Sequence, residues 1–149
     1  MIAADIQNLL SKTGLSQDQL VNLFDLPRAR QKTIKRALTR LDAHIENSII
    51  AEVDAFVSGE GRDIILIRFL SENDFALYET DLFEHFKCCS VHKQFIARTK
   101  RAIERIGGEV TIIYMESNFY ETWLGVNDLD DSRDIRIAWA RQQIGNLNL

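Results

Sequence analysis

The chain has 149 residues, of which 46% are hydrophobic and 27% are charged, and its formal net charge is −4. This length suits one domain or a small domain joined to a second element. With one Pro and seven Gly, the composition excludes an intrinsically disordered chain. Charged residues interrupt every apolar stretch before it reaches the roughly 18 residues of a membrane span, so we expect no membrane partner.

The cysteine content and the first residues indicate where the protein is found. Cys88 and Cys89 are adjacent and are the only cysteines, so the chain has no disulfide framework. The first residues carry an acid at Asp5 and no basic segment, which is not the pattern of a secretory signal. We therefore expect a cytoplasmic protein in a reducing compartment.

Apolar spacing predicts three helices in the first third of the chain, over residues 2–12, 16–24 and 28–46. Ser16, followed by Gln19 three residues later, has the pattern of a capping box and predicts the start of the second helix. The third helix has the clearest periodicity. Its apolar residues at i, i+3, i+4, i+7 and i+11 are Ile34, Ala37, Leu38, Leu41 and Ile45.

A two-residue period follows this helix and predicts strands. Val53 and Val57 belong to an alternating pattern over residues 48–57, and an apolar run over 63–70 predicts a second, more buried strand. A short third strand is predicted over 75–78.

The helical period returns over residues 81–106, with a break near Ser90. Two further strands, over 109–115 and 119–126, form a predicted hairpin, and a last helix covers 130–144. The predicted order is ααα-ββ(β)-α-ββ-α, an α+β fold. Because the hairpin links are too short for parallel crossovers, we predict an antiparallel sheet.

The charges are unevenly distributed along the chain. Residues 1–47 have a net charge of +2 and residues 48–149 a net charge of −6. The segment 28–40 contains six basic residues and no acid. Because a helix with cations along one side can bind the phosphates of a duplex, this helix is a candidate DNA-binding element. Its candidate contact residues are Arg28, Arg30, Gln31, Lys32, Lys35, Arg36 and Arg40.

Residues 15–41 resemble the helix-turn-helix of winged-helix DNA-binding proteins. Its apolar positions are occupied by Leu15, Leu20, Leu23, Leu26, Ile34, Leu38 and Leu41. The strands predicted over 48–57 and 63–70 follow where the wing hairpin of such a protein would lie. The resemblance implies a DNA-binding unit over 1–70 and a partner-binding or dimerisation unit over 71–149; a single domain is the alternative.

Two functions from different classes follow from these patterns. The first is a DNA-binding transcriptional regulator that works as a homodimer, because one short helix reads too few base pairs for useful specificity. The alternative is a protein-binding module, such as an inhibitor, an immunity protein or a secretion-type chaperone, that acts through the acidic α+β part. In that case the basic face of the third helix is an ordinary solvated surface, or it pairs with the acidic remainder or a partner.

The aromatic residues of the last quarter are predicted to be core: Phe119, Tyr120, Trp123 and Trp139.

Four potential metal ligands follow one another at i, i+3, i+4 and i+7: His85, Cys88, Cys89 and His92. One helix cannot wrap four ligands around an ion, because the outer two lie about 10 Å apart along its axis. We therefore expect small buried thiols beside core-edge histidines rather than a metal site. No phosphate-binding glycine loop and no catalytic constellation is present, so we expect neither a cofactor nor an enzyme.

Overall fold

The structure, a computed structural model, describes residues 3–59, 64–78, 86 and 88–147. Within these residues the chain forms an α+β fold in which helices predominate and two strands pair. The helices and strands, in chain order, are α1 (Ala4–Thr13), α2 (Gln17–Phe24), α3 (Gln31–Ser58), β1 (Ile64–Phe69), α4 (Glu72–Ala76), α5 (Cys89–Arg105), β2 (Val110–Met115), α6 (Ser117–Asn127) and α7 (Arg133–Leu147).

The first two helices begin and end close to their predicted positions, and the predicted capping box is confirmed. The Ser16 hydroxyl accepts a hydrogen bond from the backbone N–H of Gln19, and the Gln19 side chain accepts one from the backbone N–H of Ser16. Gly14 ends α1 in the left-handed region at φ 75°, a conformation that costs glycine little. A Cβ there would lie 3.0 Å from the Ser90 carbonyl oxygen, so this turn packs closely on the start of α5.

The third helix is much longer than predicted, and the strand predicted over 48–57 is wrong. α3 continues unbroken to Ser58 because no glycine or proline interrupts it before Gly59. The alternation that suggested a strand counted small alanines as apolar residues. The larger side chains keep a helical spacing instead: Ile45 and Phe56 are buried and Ile49 is packed against the core.

Two other predicted strands are also wrong. Residues 72–76 form the short helix α4, which begins where the Ser71 hydroxyl accepts a hydrogen bond from the backbone N–H of Asp74. The segment 119–126 lies within α6, where Tyr120 and Leu124 are buried four residues apart and Trp123 is half-buried. A spacing of four residues is typical of a helix. The alternating run in this segment is too short to distinguish a strand from a helix.

The two strands at 63–70 and 109–115 are confirmed as β1 and β2, but the predicted antiparallel sheet is wrong. β1 and β2 pair in parallel, with Ile64 opposite Val110 and Phe69 opposite Met115. The crossover between them contains α4 and α5, which provides the length that a parallel connection needs. Both α5 and α7 pack against this sheet, as expected for parallel strands whose two faces are covered.

The later helices partly follow the predictions. The helix predicted over 130–144 is α7, and α5 begins at Cys89, close to the predicted break at Ser90. Residues 81–85 and 87 of the predicted helix lie outside the described residues. Gly107, at φ 86°, follows the end of α5 as predicted.

One core joins both halves of the chain. Buried side chains from α1, α2, α3, both strands and the later helices form a single cluster. A partly buried ion-pair cluster connects α1, α3 and α5: the Arg98 guanidinium lies 3.0 Å from Asp42 and 3.2 Å from Glu46, and Lys12 lies 3.8 Å from Asp42. The predicted division near residue 70 stays a prediction.

The segments predicted as a wing do not pair with each other, since 48–57 is helical and β1 pairs with β2. The likeness of residues 15–41 to a helix-turn-helix stays a prediction. Among the helices of the described residues, none combines the length and the apolar character that crossing a bilayer requires.

Candidate functional site

A row of three cations lies along the outer face of α3. Lys32, Arg36 and Arg40 follow at intervals of four residues and are exposed, so they stack one above another along about 12 Å of the helix. The opposite face of the same segment carries Ile34 and Leu38, which are almost completely buried. Within the part of the chain that the structure describes, none of the three cations forms an ion pair. We call these three residues the cation row.

The residues that precede the cation row are also accessible. Arg28 and Arg30 lie in the turn between α2 and α3, Gln31 is the first residue of α3, and all three side chains are exposed. A position at a helix start is where a recognition helix contacts base edges in a major groove.

Two of the predicted contact residues form ion pairs with neighbouring helices. Lys35 Nζ lies 2.6 Å from Asp5 Oδ2 on α1, and Arg28 Nη2 lies 3.2 Å from Asp18 Oδ1 on α2. The Lys35 hydrogen bond lowers the pKa of Asp5. Both pairs are about half exposed or more, and exposed pairs contribute little to stability. The two cations can therefore leave their partners for a phosphate at small cost.

Three of the four potential metal ligands lie among the described residues. Cys88 and Cys89 are half-buried at the start of α5, His92 is buried within it, and His85 lies outside the described residues. Burial raises the pKa of both thiols, which disfavours the thiolate that a zinc ligand or nucleophile requires. Among the described residues no group of three or more His, Cys, Asp or Glu is placed to hold a metal ion.

His92 lies in an aromatic environment. Its ring centroid is 5.0 Å from that of Phe86 and 5.7 Å from that of Phe75. Desolvation, with a smaller effect of the Arg68 charge, lowers its pKa to about 4. The imidazole is therefore neutral at pH 7, and its Nδ1 has no hydrogen-bond partner among the described residues.

The aromatic residues of the last quarter are not all core. Tyr120 and Trp139 are buried as predicted and Trp123 is half-buried, but Phe119 is 68% exposed on α6. Tyr120 donates a hydrogen bond to Asp131, which also forms two hydrogen bonds with the Arg136 guanidinium. Burial raises the pKa of Asp131, but the hydrogen bonds from Arg136 and Tyr120 outweigh that effect and lower it.

The structure also contains a cavity between α3, β1, α5 and α7, which no sequence pattern predicts. Its polar lining residues come from three separated helices: Ser48 and Glu52 from α3, His92 from α5, and Arg133 and Arg136 from α7. No local motif could have identified them, because only tertiary packing brings them together.

No protein-family model matches the sequence, and no curated protein is significantly similar to it.

Proposed function

We propose that the protein binds duplex DNA through the outer face of the first third of α3 and acts as a DNA-binding transcriptional regulator. The observation that carries the proposal is the cation row, in which Lys32, Arg36 and Arg40 are aligned, exposed and without ion pairs among the described residues. Because each cation that meets a phosphate releases a counterion, such a row favours a polyanion over other partners.

The placement of the other cations fits this proposal. If the basic face were paired with the acidic remainder of the chain, its cations would form ion pairs with residues of that part. Among the described residues, only Lys35 and Arg28 of this face form ion pairs, and their partners lie on the adjacent helices α1 and α2 rather than in the acidic second half. The cation row would lie along the phosphates, and Arg28, Arg30 and Gln31 would lie nearest the bases.

The test is binding of a labelled mixed-sequence duplex, followed by fluorescence anisotropy at about 50 and about 200 mM salt. Three phosphate contacts, one for each member of the cation row, predict that the Kd rises roughly fortyfold over this range. The variant Lys32→Glu/Arg36→Glu should weaken binding at the lower salt concentration by at least tenfold, because it replaces two attractions with two repulsions.

A matched control makes the same change of net charge elsewhere. Arg101 and Arg105 are exposed on α5, and Arg101→Glu/Arg105→Glu should retain most of the affinity. Equal losses in the two variants would show that net charge, rather than the cation row, determines binding. No binding by the folded protein at about 50 mM salt would overturn the proposal.

The alternative function, a protein-binding module, is favoured by one observation. Phe119 and Val126 on α6 are 68% and 79% exposed, and exposed aromatic and aliphatic side chains on one helix are typical of protein-binding surfaces. Absence of salt-dependent duplex binding would leave this function as the better supported one.

A further inference from the structure

The outer edge of β1 carries backbone groups that no described residue uses. The backbone N–H of Ile64 donates to the carbonyl oxygen of Glu109, 3.1 Å away, and so faces β2. Because alternate residues of a strand direct their backbone groups to opposite edges, the N–H and C=O groups of Ile65 and Ile67 face away from β2. The sheet has two strands, and no other described residue forms a hydrogen bond with these groups. They are therefore available to an added strand.

α5 closes one end of this edge. The carbonyl oxygen of Phe69, the next residue of β1 that faces outward, accepts a hydrogen bond from Cys89 Sγ at 3.6 Å. An extended chain rises about 3.3 Å per residue, so the edge from Ile65 to Phe69 spans about 13 Å. The open part of the edge therefore suits a short extended segment.

A cavity of about 450 Å³ lies beside the same edge, and both Ile65 and Ile67 line it. This volume falls within the roughly 300–1,000 Å³ of ligand-binding sites. Ala51 of α3 also lines the cavity and is exposed, and its small side chain leaves room on the side of that helix. The free backbone groups of β1 thus border a cavity that can accept the side chains of a bound segment. We call this cavity together with the outer edge of β1 the edge groove.

The lining of the edge groove favours an uncharged occupant. Isoleucines of β1 and α7 form much of it, and the charged residues around them already have partners. Glu52 lies 2.8 Å from Arg133, and Arg136 lies 2.9 Å from Asp131. A charged side chain entering the groove would have to compete with these pairs, whereas an apolar side chain would gain from burial.

We propose that the edge groove binds an uncharged, extended peptide segment of a partner protein, with apolar side chains at alternate positions, as a third strand beside β1. In this mode the backbone hydrogen bonds provide affinity, and pockets for alternate side chains provide specificity. The site is separate from DNA binding, since none of its residues belongs to the cation row.

The first test compares the peptide acetyl-Val-Thr-Val-Thr-Val-amide with two analogues that each carry two N-methyl groups. One analogue is methylated at both threonines and the other at the last two valines. Only every second N–H of an added strand faces β1. Isothermal titration calorimetry with the whole chain should therefore show one analogue binding at least about tenfold more weakly than the parent peptide, because it loses its hydrogen bonds to β1. The other analogue should retain most of the affinity. Equal affinities of the two analogues, or no binding of the parent peptide, would overturn the proposal.

Amide hydrogen exchange, followed residue by residue by NMR, tests the contact on the wild-type protein. The parent peptide at saturation should slow exchange of the Ile65 and Ile67 N–H groups at least about tenfold, because they gain acceptors. The Leu66 N–H faces β2 and should change much less. Unchanged exchange at Ile65 and Ile67 would contradict the assignment. Protection of these two groups that rises with protein concentration in the absence of peptide would show that a second copy of the chain occupies the edge, and would also overturn the proposal.

Two variants locate the site. Ala51 lines the cavity on α3, whereas Ala43 is exposed on the same helix and does not line it. Ala51→Trp fills the edge groove and should weaken binding of the parent peptide at least tenfold, and Ala43→Trp should leave it unchanged. Equal binding by these two variants would place the peptide elsewhere and contradict the assignment.

Discussion

Thr99 places a hydroxyl group in the core without a hydrogen-bond partner among the described residues. The residue is fully buried in α5, and its Oγ1 is unpaired. Replacing it with valine keeps the shape and removes the unpaired group, so we expect Thr99→Val to raise the free energy of unfolding by about 1 kcal/mol. Urea denaturation followed by circular dichroism measures this change.

Thr13 is the matched control for this prediction. It is equally buried, but its hydroxyl donates to the carbonyl oxygens of Leu9 and Leu10 at 3.0 and 3.2 Å. Thr13→Val should lower the free energy of unfolding by about 1 kcal/mol, because a satisfied hydrogen bond is lost. The same sign for both substitutions would contradict the distinction between a paired and an unpaired hydroxyl.

His92 makes the stability depend on pH in a defined window. Its pKa is about 4 in the folded protein and about 6.5 in an unfolded chain, so the unfolded state binds more protons between these values. The free energy of unfolding therefore rises with pH. The contribution, about 3 kcal/mol, is complete above pH 6.5 and is lost as the pH falls through 4.

The difference between wild type and His92→Phe isolates this contribution, because both proteins share the same carboxylates. Urea denaturation at several pH values from 4 to 7.5 measures the free energy of unfolding of both proteins. As the pH falls, the value for His92→Phe should rise relative to that of the wild type. Parallel pH profiles for the two proteins would mean that His92 is not buried in its neutral form.

At the scale of helices and strands, Asp42 holds three helices together. Its carboxylate pairs with Arg98 of α5 and Lys12 of α1, and its side chain is only 12% exposed. Asp42→Asn should lower the free energy of unfolding by about 2 kcal/mol, because the mostly buried Arg98 loses its closest counterion. Equilibrium urea denaturation measures the loss.

Glu46 provides the comparison, since it contacts the same guanidinium but is 53% exposed. Glu46→Gln should lower the free energy of unfolding by less than about 1 kcal/mol. If the two substitutions had equal effects, burial would not be what makes the Asp42 pair important.

The helices were predicted from sequence more reliably than the strands, for a local reason. Ser16 and Gln19 define a helix start through contacts three residues apart, and the spacing of Ile34, Leu38 and Leu41 defines a buried face. Such signals lie entirely within one element. The segment 48–57 was misread because an alternating pattern that includes alanines occurs in helices as well as in strands.

The two candidate sites, the cation row and the cavity, also differ in whether they can be predicted from the sequence. The cation row is visible in the sequence because its members lie four residues apart on one helix. The cavity is not visible in the sequence, because its lining residues are far apart along the chain. Glu52 and Arg133, for example, lie 2.8 Å apart but are separated by 81 residues. Charge patterns along one helix are readable from sequence, whereas a lining assembled from several elements depends on the tertiary fold.

At the scale of the whole molecule, strand pairing could not be predicted because partners are chosen over long distances. The sequence shows two apolar segments at 64–69 and 110–115, but it does not show that they pair with each other or in which direction. The predicted hairpins assumed that neighbours in sequence pair. The helices inserted between the strands make the parallel pairing possible.

The parallel pairing of β1 and β2 constrains how the chain folds during synthesis. Ile64 and its partner Val110 are 46 residues apart, so β1 leaves the ribosome long before its partner strand exists. Until then the segment IILIRF is an apolar, β-prone stretch without a partner. The contacts of α1 with α3 are closer in sequence and can form first. The interval before β2 is made is therefore the period in which the nascent chain is most exposed to aggregation and most dependent on chaperones.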